Sequence, residues 1–132
     1  LKAAGGGSIV NFSSTAGFMG YPLRTPYAAA KWAIIGLSKS LAMELGAFGI
    51  RVNAICPGSV EGDRMDRVIA ANALGSGKSV ADIRRDYASA TSLGTFVTAE
   101  DVAAMVLFIC SDAGAKISGQ ALAVDGHAET VG

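Results

Sequence analysis

The segment "SSTAGFMGYPLRTPYAAAK", residues 13–31, holds Ser14, Tyr27 and Lys31, with the last two four residues apart. On a helix, residues four apart share one face. A free tyrosine has a pKa of about 10 and is a poor acid or base at neutral pH. An ammonium group beside a phenol favours the phenolate. Bringing a phenol toward neutrality takes roughly 2–3 pKa units, or about 3–4 kcal/mol of differential stabilisation. One close cation in a partly dry site supplies a good part of that. A phenol tuned in this way exchanges a proton with a hydroxyl or carbonyl oxygen, and a serine hydroxyl can hold the same oxygen by a hydrogen bond. Each residue also has a plainer use. Ser13 and Ser14 can satisfy backbone groups at a strand end, and Tyr-x-x-x-Lys can be a half-exposed helix face. What decides is where the surrounding elements put them.

Residues 8–12, "SIVNF", form a short β-branched apolar run with glycines before it and Ser-Ser-Thr-Ala-Gly after it, which predicts a buried strand. Thr25-Pro26 predicts a helix start, Thr25 as N-cap and Pro26 at the first helical position, with the helix running to Phe48. "IRVNAIC", residues 50–56, predicts a second buried strand, stopped by Pro57-Gly58. Residues 64–74 and 79–90 have amphipathic helical patterns. Thr98-Ala-Glu-Asp101 resembles a capping box, with Asp in place of Glu or Gln, and opens a helix closed by Asp112-Ala-Gly114. "QALAVDG", residues 120–126, is a third strand. Alternation of strands and helices predicts βαβ units, a parallel sheet and right-handed crossovers. In such sheets ligands bind beyond the carboxyl ends of the strands. Ser13 and Ser14 follow the first strand there, residues 57–59 follow the second, and Tyr27 and Lys31 lie in the first turns of the helix between them.

Composition narrows the field. A chain of 132 residues, 51% of them hydrophobic, has material for one domain with a real core. Eleven basic and eleven acidic residues are scattered and cancel, which argues against a nucleic-acid surface or a polybasic membrane patch. The longest apolar run, residues 102–110, is far short of a membrane span, and no basic stretch followed by an apolar one suggests a signal peptide. Cys56 and Cys110 lie in apolar sequence and form no C-x-x-C pair, so both are expected as buried free thiols of a cytoplasmic protein. With His127 the only histidine, no metal site is expected. The opening "LKAAGGG" reads as the last turn of a helix capped by glycines, not as a phosphate-binding loop, because such a loop follows a strand and opens a helix.

Three pieces, "SIVNFSSTAG", "TPYAAAKWAIIGLSKSLAMELGAFGIRVNAICPG" and "SGQALAVDG", carry a resemblance to the short-chain dehydrogenase/reductase family over essentially the whole length. The resemblance implies a Rossmann-type three-layer α/β sandwich with a parallel sheet, and NAD(P)-dependent hydride transfer between an alcohol and a ketone or aldehyde. It further implies that residues 1–132 are the C-terminal catalytic half of one such domain. On the family pattern Ser14 polarises the substrate, Tyr27 is the general acid/base, and Lys31 tunes the tyrosine and contacts the nicotinamide ribose. Pro57, Gly58, Ser59 and Val60 meet the nicotinamide end through their backbone, and residues 59–97 form the substrate lid. The family's glycine-rich loop, its NAD-or-NADP-selecting residue and its catalytic-site asparagine have no counterpart here and belong upstream of Leu1. A threonine common five positions after the proline is replaced by Gly62, and His127 stands where a second glycine of Asp-Gly-Gly is common.

The expected activity is that of an NAD- or NADP-dependent oxidoreductase acting on a small alcohol or carbonyl substrate, with a 3-oxoacyl carrier-protein reductase as one possibility. The alternative is a truncated, catalytically silent interaction module. A serine hydrolase is disfavoured, since Ser14 lacks a G-x-S-x-G elbow. The predicted helix over residues 26–48 is apolar around much of its circumference, and its Ala- and Gly-rich side invites a second backbone. The resemblance points the same way, to a homodimer or homotetramer paired through that helix. The isolated chain is expected to associate and to be inactive.

Overall fold

The computed structural model describes residues 1–130. The chain begins with a helix-ending pattern, in which the Gly6 N–H donates to Leu1 O and the Gly5 N–H to Lys2 O, both at 3.1 Å. These paired bonds are the way helices close on a glycine, as the opening residues led us to expect. Strand β1 (Gly7–Phe12) follows, then helix α1 (Thr25–Leu45) and strand β2 (Ile50–Pro57). Helices α2 (Asp63–Ser76), α3 (Val80–Ser89) and α4 (Ala99–Cys110) lead to strand β3 (Ala121–Val124). All pairing is parallel, in the order β1-β2-β3, with Phe12 beside Ile55 and Pro57 beside Val124.

β2 is the core strand. Val52, Asn53, Ala54, Ile55 and Cys56 are all fully buried. Its side chains alternate between two faces, and their contacts show what covers each. Asn11, paired with Ala54, donates from Nδ2 to Ser38 Oγ of α1 at 3.1 Å, so the face of Val52, Ala54 and Cys56 lies under α1. Arg51 points the other way. Its Nη1 donates to the carbonyls of Ile109, at the end of α4, and of Gly114 (2.8 Å) and Ile117 (3.2 Å) just beyond it. Helix, sheet and helix therefore form three layers.

This layering corrects one expectation. Both crossovers step the same way, β1 to β2 and β2 to β3, yet α1 and α4 lie on opposite faces. The two connections thus have opposite hands, and one is not right-handed. The usual rule rests on a twisted strand feeding directly into its helix. Between β2 and α4 that feed is interrupted by α2 and α3, and the constraint is lost.

Three smaller corrections follow. Thr25 is not the N-cap of α1: Arg24 holds that position without a side-chain cap, and Thr25 is already helical. The reason is Leu23, which turns the chain at φ 66° and starts the helix one residue early, keeping Pro26 in the first turn where its missing N–H is harmless. The α-helix stops at Leu45 and a 3₁₀ turn over Gly46–Phe48 completes the run. Cys110 is exposed rather than buried, because the last turn of α4 carries it to the rim near Ser8 Oγ. The capping box of α4 is present in both directions: Thr98 N–H donates to Asp101 Oδ2 at 2.8 Å and Asp101 N–H to Thr98 Oγ1 at 3.1 Å.

Residues 59–97 leave and rejoin the sheet at one place. Val60 and Val97 form a parallel bridge, with Glu61 N–H donating to Val97 O (2.8 Å) and Val97 N–H to Ser59 O (3.0 Å). Within the excursion Arg84 of α3 ion-pairs with Glu61 and with Asp66 of α2.

Arg51 ties β2 to the end of α4 through three carbonyls. Replacing it, Arg51→Met, keeps bulk but strands those acceptors, and is expected to lower unfolding stability by about 2–4 kcal/mol, read from the urea midpoint.

Candidate active site

Ser14, Tyr27, Lys31, Pro57, Gly58, Ser59 and Val60 all line one cleft of about 560 Å³ at the carboxyl ends of β1 and β2. All seven residues singled out in the sequence are thus brought together.

The geometry begins where β1 ends. Ser13 is buried; its N–H donates to Ile55 O (2.8 Å) and its Oγ to Lys31 O (2.8 Å), which fastens the strand end to the second turn of α1. The junction is tight. A Cβ on Gly17 would lie 2.5 Å from Ser13 Oγ and 3.1 Å from Lys31 O, so only glycine fits there. Ser14 caps the short 3₁₀ turn Thr15–Gly17, and its Oγ accepts from Ala16 N–H at 3.2 Å. That bond uses a lone pair and leaves the hydroxyl proton free to donate.

Tyr27 and Lys31 stand on the cleft side of α1. The Lys31 ammonium is 5.6 Å from the Tyr27 ring centroid. On the same ring lies the Arg24 guanidinium, at 4.7 Å. Tyr21 meets Tyr27 edge-on, centroids 6.0 Å apart and planes at 88°, a favourable aromatic arrangement.

Across the cleft, β2 ends in Cys56, Pro57 and Gly58. Gly58 N–H donates to Val124 O at 3.0 Å, and a Cβ on Gly58 would come within 2.7 Å of Asp125 Cβ. The missing side chain lets the backbone after β2 pack against the backbone after β3. Gly62, where the family pattern has threonine, lines the cleft without any side chain to contribute. Burial pushes the Cys56 thiol up to about 11, against the opposing hydrogen bonds from Ser13 and Ser14 and the charge of Lys31; Asp125 adds to the rise.

Several lining residues were not singled out in the sequence. Tyr21 and Arg24 sit six and three positions before Tyr27, inside the segment that drew attention first. Asp125 follows β3, and the strand-end rule that located Ser14 and Pro57 applies to it equally. Met65 comes from α2, with only its apolar character to advertise it; Val68 of α2 and Tyr87 of α3, apolar positions that the sequence offers as a cover for a small-molecule site, do line the cleft. His127 does not line the cleft. It joins the segment after α3 to the segment after β3: Nδ1 meets Ser92 Oγ, Nε2 meets Glu129 Oε1 at 2.7 Å, and its N–H donates to Asp125 Oδ1 at 2.8 Å. Among the described residues, no group of three or more His, Cys, Asp and Glu gathers in a way that would hold a metal ion.

A parallel sheet between helix layers, with a polar cleft at its carboxyl edge, defines a Rossmann-type α/β protein. Comparison with known proteins makes this specific. A family model described as enoyl-(acyl carrier protein) reductase matches residues 1–127. The 2-(S)-hydroxypropyl-CoM dehydrogenase 3 of Xanthobacter autotrophicus is 41% identical over 120 residues, which are 91% of this chain and 45% of that protein. The 3-oxoacyl-(acyl-carrier-protein) reductase FabG of Chlamydia trachomatis is 40% identical over 121 residues, 91% of this chain and 44% of that one. An actinorhodin polyketide ketoreductase variant solved with NADPH superposes with a TM-score of 0.87 at 34% identity, covering 94% of this chain and 48% of the ketoreductase. The chain belongs to the short-chain dehydrogenase/reductase family. It spans under half the length of these curated relatives.

The raised Cys56 thiol has a direct chemical consequence, because the thiolate is the reactive form. Iodoacetamide at pH 8 is expected to label exposed Cys110 and spare Cys56 in the folded chain, as read by peptide mass spectrometry. The sign for stability is also fixed. A thiol raised from 9.0 to about 11 in the fold binds its proton more tightly folded than unfolded. Its contribution is complete below about pH 9 and is lost as pH rises toward 11. Cys56→Ala should therefore flatten the stability loss between those values.

Proposed function

We propose that this chain supplies the catalytic half of an NAD(P)-dependent oxidoreductase that interconverts a small alcohol and the corresponding ketone or aldehyde. The observation that carries the reading is the convergence of Ser14, Tyr27, Lys31 and the residues 57–60 on one cleft. The Ser14 hydroxyl, with its lone pair already engaged by Ala16 N–H, donates to the substrate oxygen and holds it. The Tyr27 hydroxyl gives a proton to that oxygen in reduction and takes one from it in oxidation. The Lys31 ammonium stabilises the negative charge that develops on the phenolic oxygen as the proton leaves.

The residues fit the nicotinamide end of the cofactor. Lys31 offers a cation and hydrogen-bond donors beside Tyr27, and the glycine at 58 leaves backbone rather than side chain on the facing wall. When bound, a nicotinamide cofactor supplies or accepts the hydride. The relatives are named for different alcohol and carbonyl compounds, and a 3-oxoacyl carrier-protein reductase is one form the activity takes. α2 and α3 act as a lid that closes over the substrate. No described helix is long and apolar enough to cross a membrane. The proposed compartment is the cytoplasm, in keeping with two cysteines that carry free thiols.

Association through α1 is part of the proposal. Trp32, Leu37 and Met43 of α1 leave 53%, 53% and 87% of their surface open. The open side of a surface helix is normally polar, and a second copy of the same helix would cover these side chains in a homodimer or homotetramer.

In the complete protein, Tyr27→Phe is expected to reduce kcat by about 10²–10⁴-fold while cofactor affinity stays near wild type. Lys31→Ala should weaken both. Steady-state kinetics with a fluorescence titration of cofactor decide it, and near-normal turnover of the Phe variant would sink the mechanism. A Cβ on Gly36 meets nothing within 4 Å in the single chain. Gly36→Glu is therefore expected to leave the protomer folded and to reduce the oligomer to monomers in light scattering; unchanged mass would place the interface elsewhere.

A further inference from the structure

The charges of the cleft are unevenly committed. Of its carboxylates, Glu61 is ion-paired with Arg84, and Asp125 accepts the N–H groups of His127 and Ala128 at 2.8 and 3.3 Å. Asp63 opens α2, where the helix N-terminus favours a negative charge. Of its cations, Lys31 is assigned to Tyr27. Arg24 and Arg64 also line the cleft, and among the described residues neither has a carboxylate within ion-pair distance.

Arg24 is held in place at a conformational cost. Leu23 before it is fully exposed and sits at φ 66°, a conformation that bulky residues rarely adopt. The turn is closed by Arg24 N–H donating to Tyr21 O at 3.1 Å. It lays the guanidinium across two rings, 5.4 Å from the Tyr21 centroid and 4.7 Å from that of Tyr27. Strain of this kind persists where the surroundings enforce it and collects at ligand sites. The result is a planar cation lying beside the ring of the proposed proton donor. A guanidinium so placed is matched to a carboxylate, sulfonate or phosphate, which it can bind with two parallel hydrogen bonds.

We propose that Arg24, assisted by Arg64 from the lid, is a specificity-determining residue that binds an anionic group on the substrate, away from its reacting carbonyl. The substrate class is then a small keto or hydroxy compound with a terminal carboxylate, sulfonate or phosphate. This inference rests on the dehydrogenase reading for the identity of the reacting group, but the anion site itself is testable without turnover.

The test uses the complete protein and two probes that differ in charge, acetoacetate and its neutral ethyl ester. Dissociation constants are measured by calorimetry for wild type, Arg24→Gln and Arg64→Gln, each checked for an unchanged melting transition. Acetoacetate is expected to bind about tenfold tighter than the ester, and Arg24→Gln to remove that preference. Arg64→Gln should reduce it in part, and added salt should weaken acetoacetate alone. If Arg24→Gln does not fold, the salt dependence and Arg64→Gln carry the decision. Acetoacetate binding no tighter than the ester, or equal losses for both probes in the variants, overturns the proposal. Selective anion binding without any NADH- or NADPH-dependent turnover would leave the anion site standing and refute the dehydrogenase reading instead.

Discussion

Everything in this chain is referred to one strand. β2 is paired on both edges and covered on both faces, so none of its backbone groups has water to fall back on. The hydrogen bonds that satisfy it come from β1, from β3 and from the Ser118 hydroxyl, which accepts from Val52 N–H at 3.1 Å. Asn53, itself buried, donates to Ile117 O and accepts from Gln120 N–H, locking the approach to β3. Because the strand cannot shift, its carboxyl end is a fixed point. Pro57 and Gly58 start from it, and Ser13 is bonded to it through Ile55 O.

From that fixed point the site is assembled by short links. Ser13 reaches from the strand end to the backbone of Lys31, and so sets the distance between Ser14 on one side and Tyr27 with Lys31 on the other. The absence of a side chain at Gly17 lets this contact close. None of these links involves a group with proposed chemistry of its own. Ser13 serves the strand end, as its position suggests, and also makes a bond to α1 on which the neighbouring residues depend.

What could be read from sequence followed from local rules. Apolar β-branched runs between turn residues located all three strands, and Thr98 with Asp101 located the start of α4 through a three-residue pattern. Ser14, Tyr27, Lys31 and residues 57–59 are legible because strand ends and helix spacing are local too, and Val60 comes with the family resemblance. The misses needed non-local information. The start of α1 depends on the left-handed turn at Leu23, which nothing in a leucine announces. The opposite hands of the crossovers depend on which face α4 reaches after a long excursion. Cys110 is apolar in its sequence neighbourhood but lies where α4 runs off the sheet. Arg24 looked like any surface arginine until the turn brought it over two aromatic rings.

The bridge between Val60 and Val97 makes the helices between them a closed loop whose two ends meet on the same patch of the sheet edge. Lengthening such a loop has little thermodynamic penalty, since doubling it costs only about 0.6 kcal/mol in closure entropy. The strands on either side need not move to accommodate the change. Evolution can therefore trade this cassette between relatives, altering what the cleft admits while the machinery beneath stays as it is, and a protein engineer can cut and graft at the same two valines.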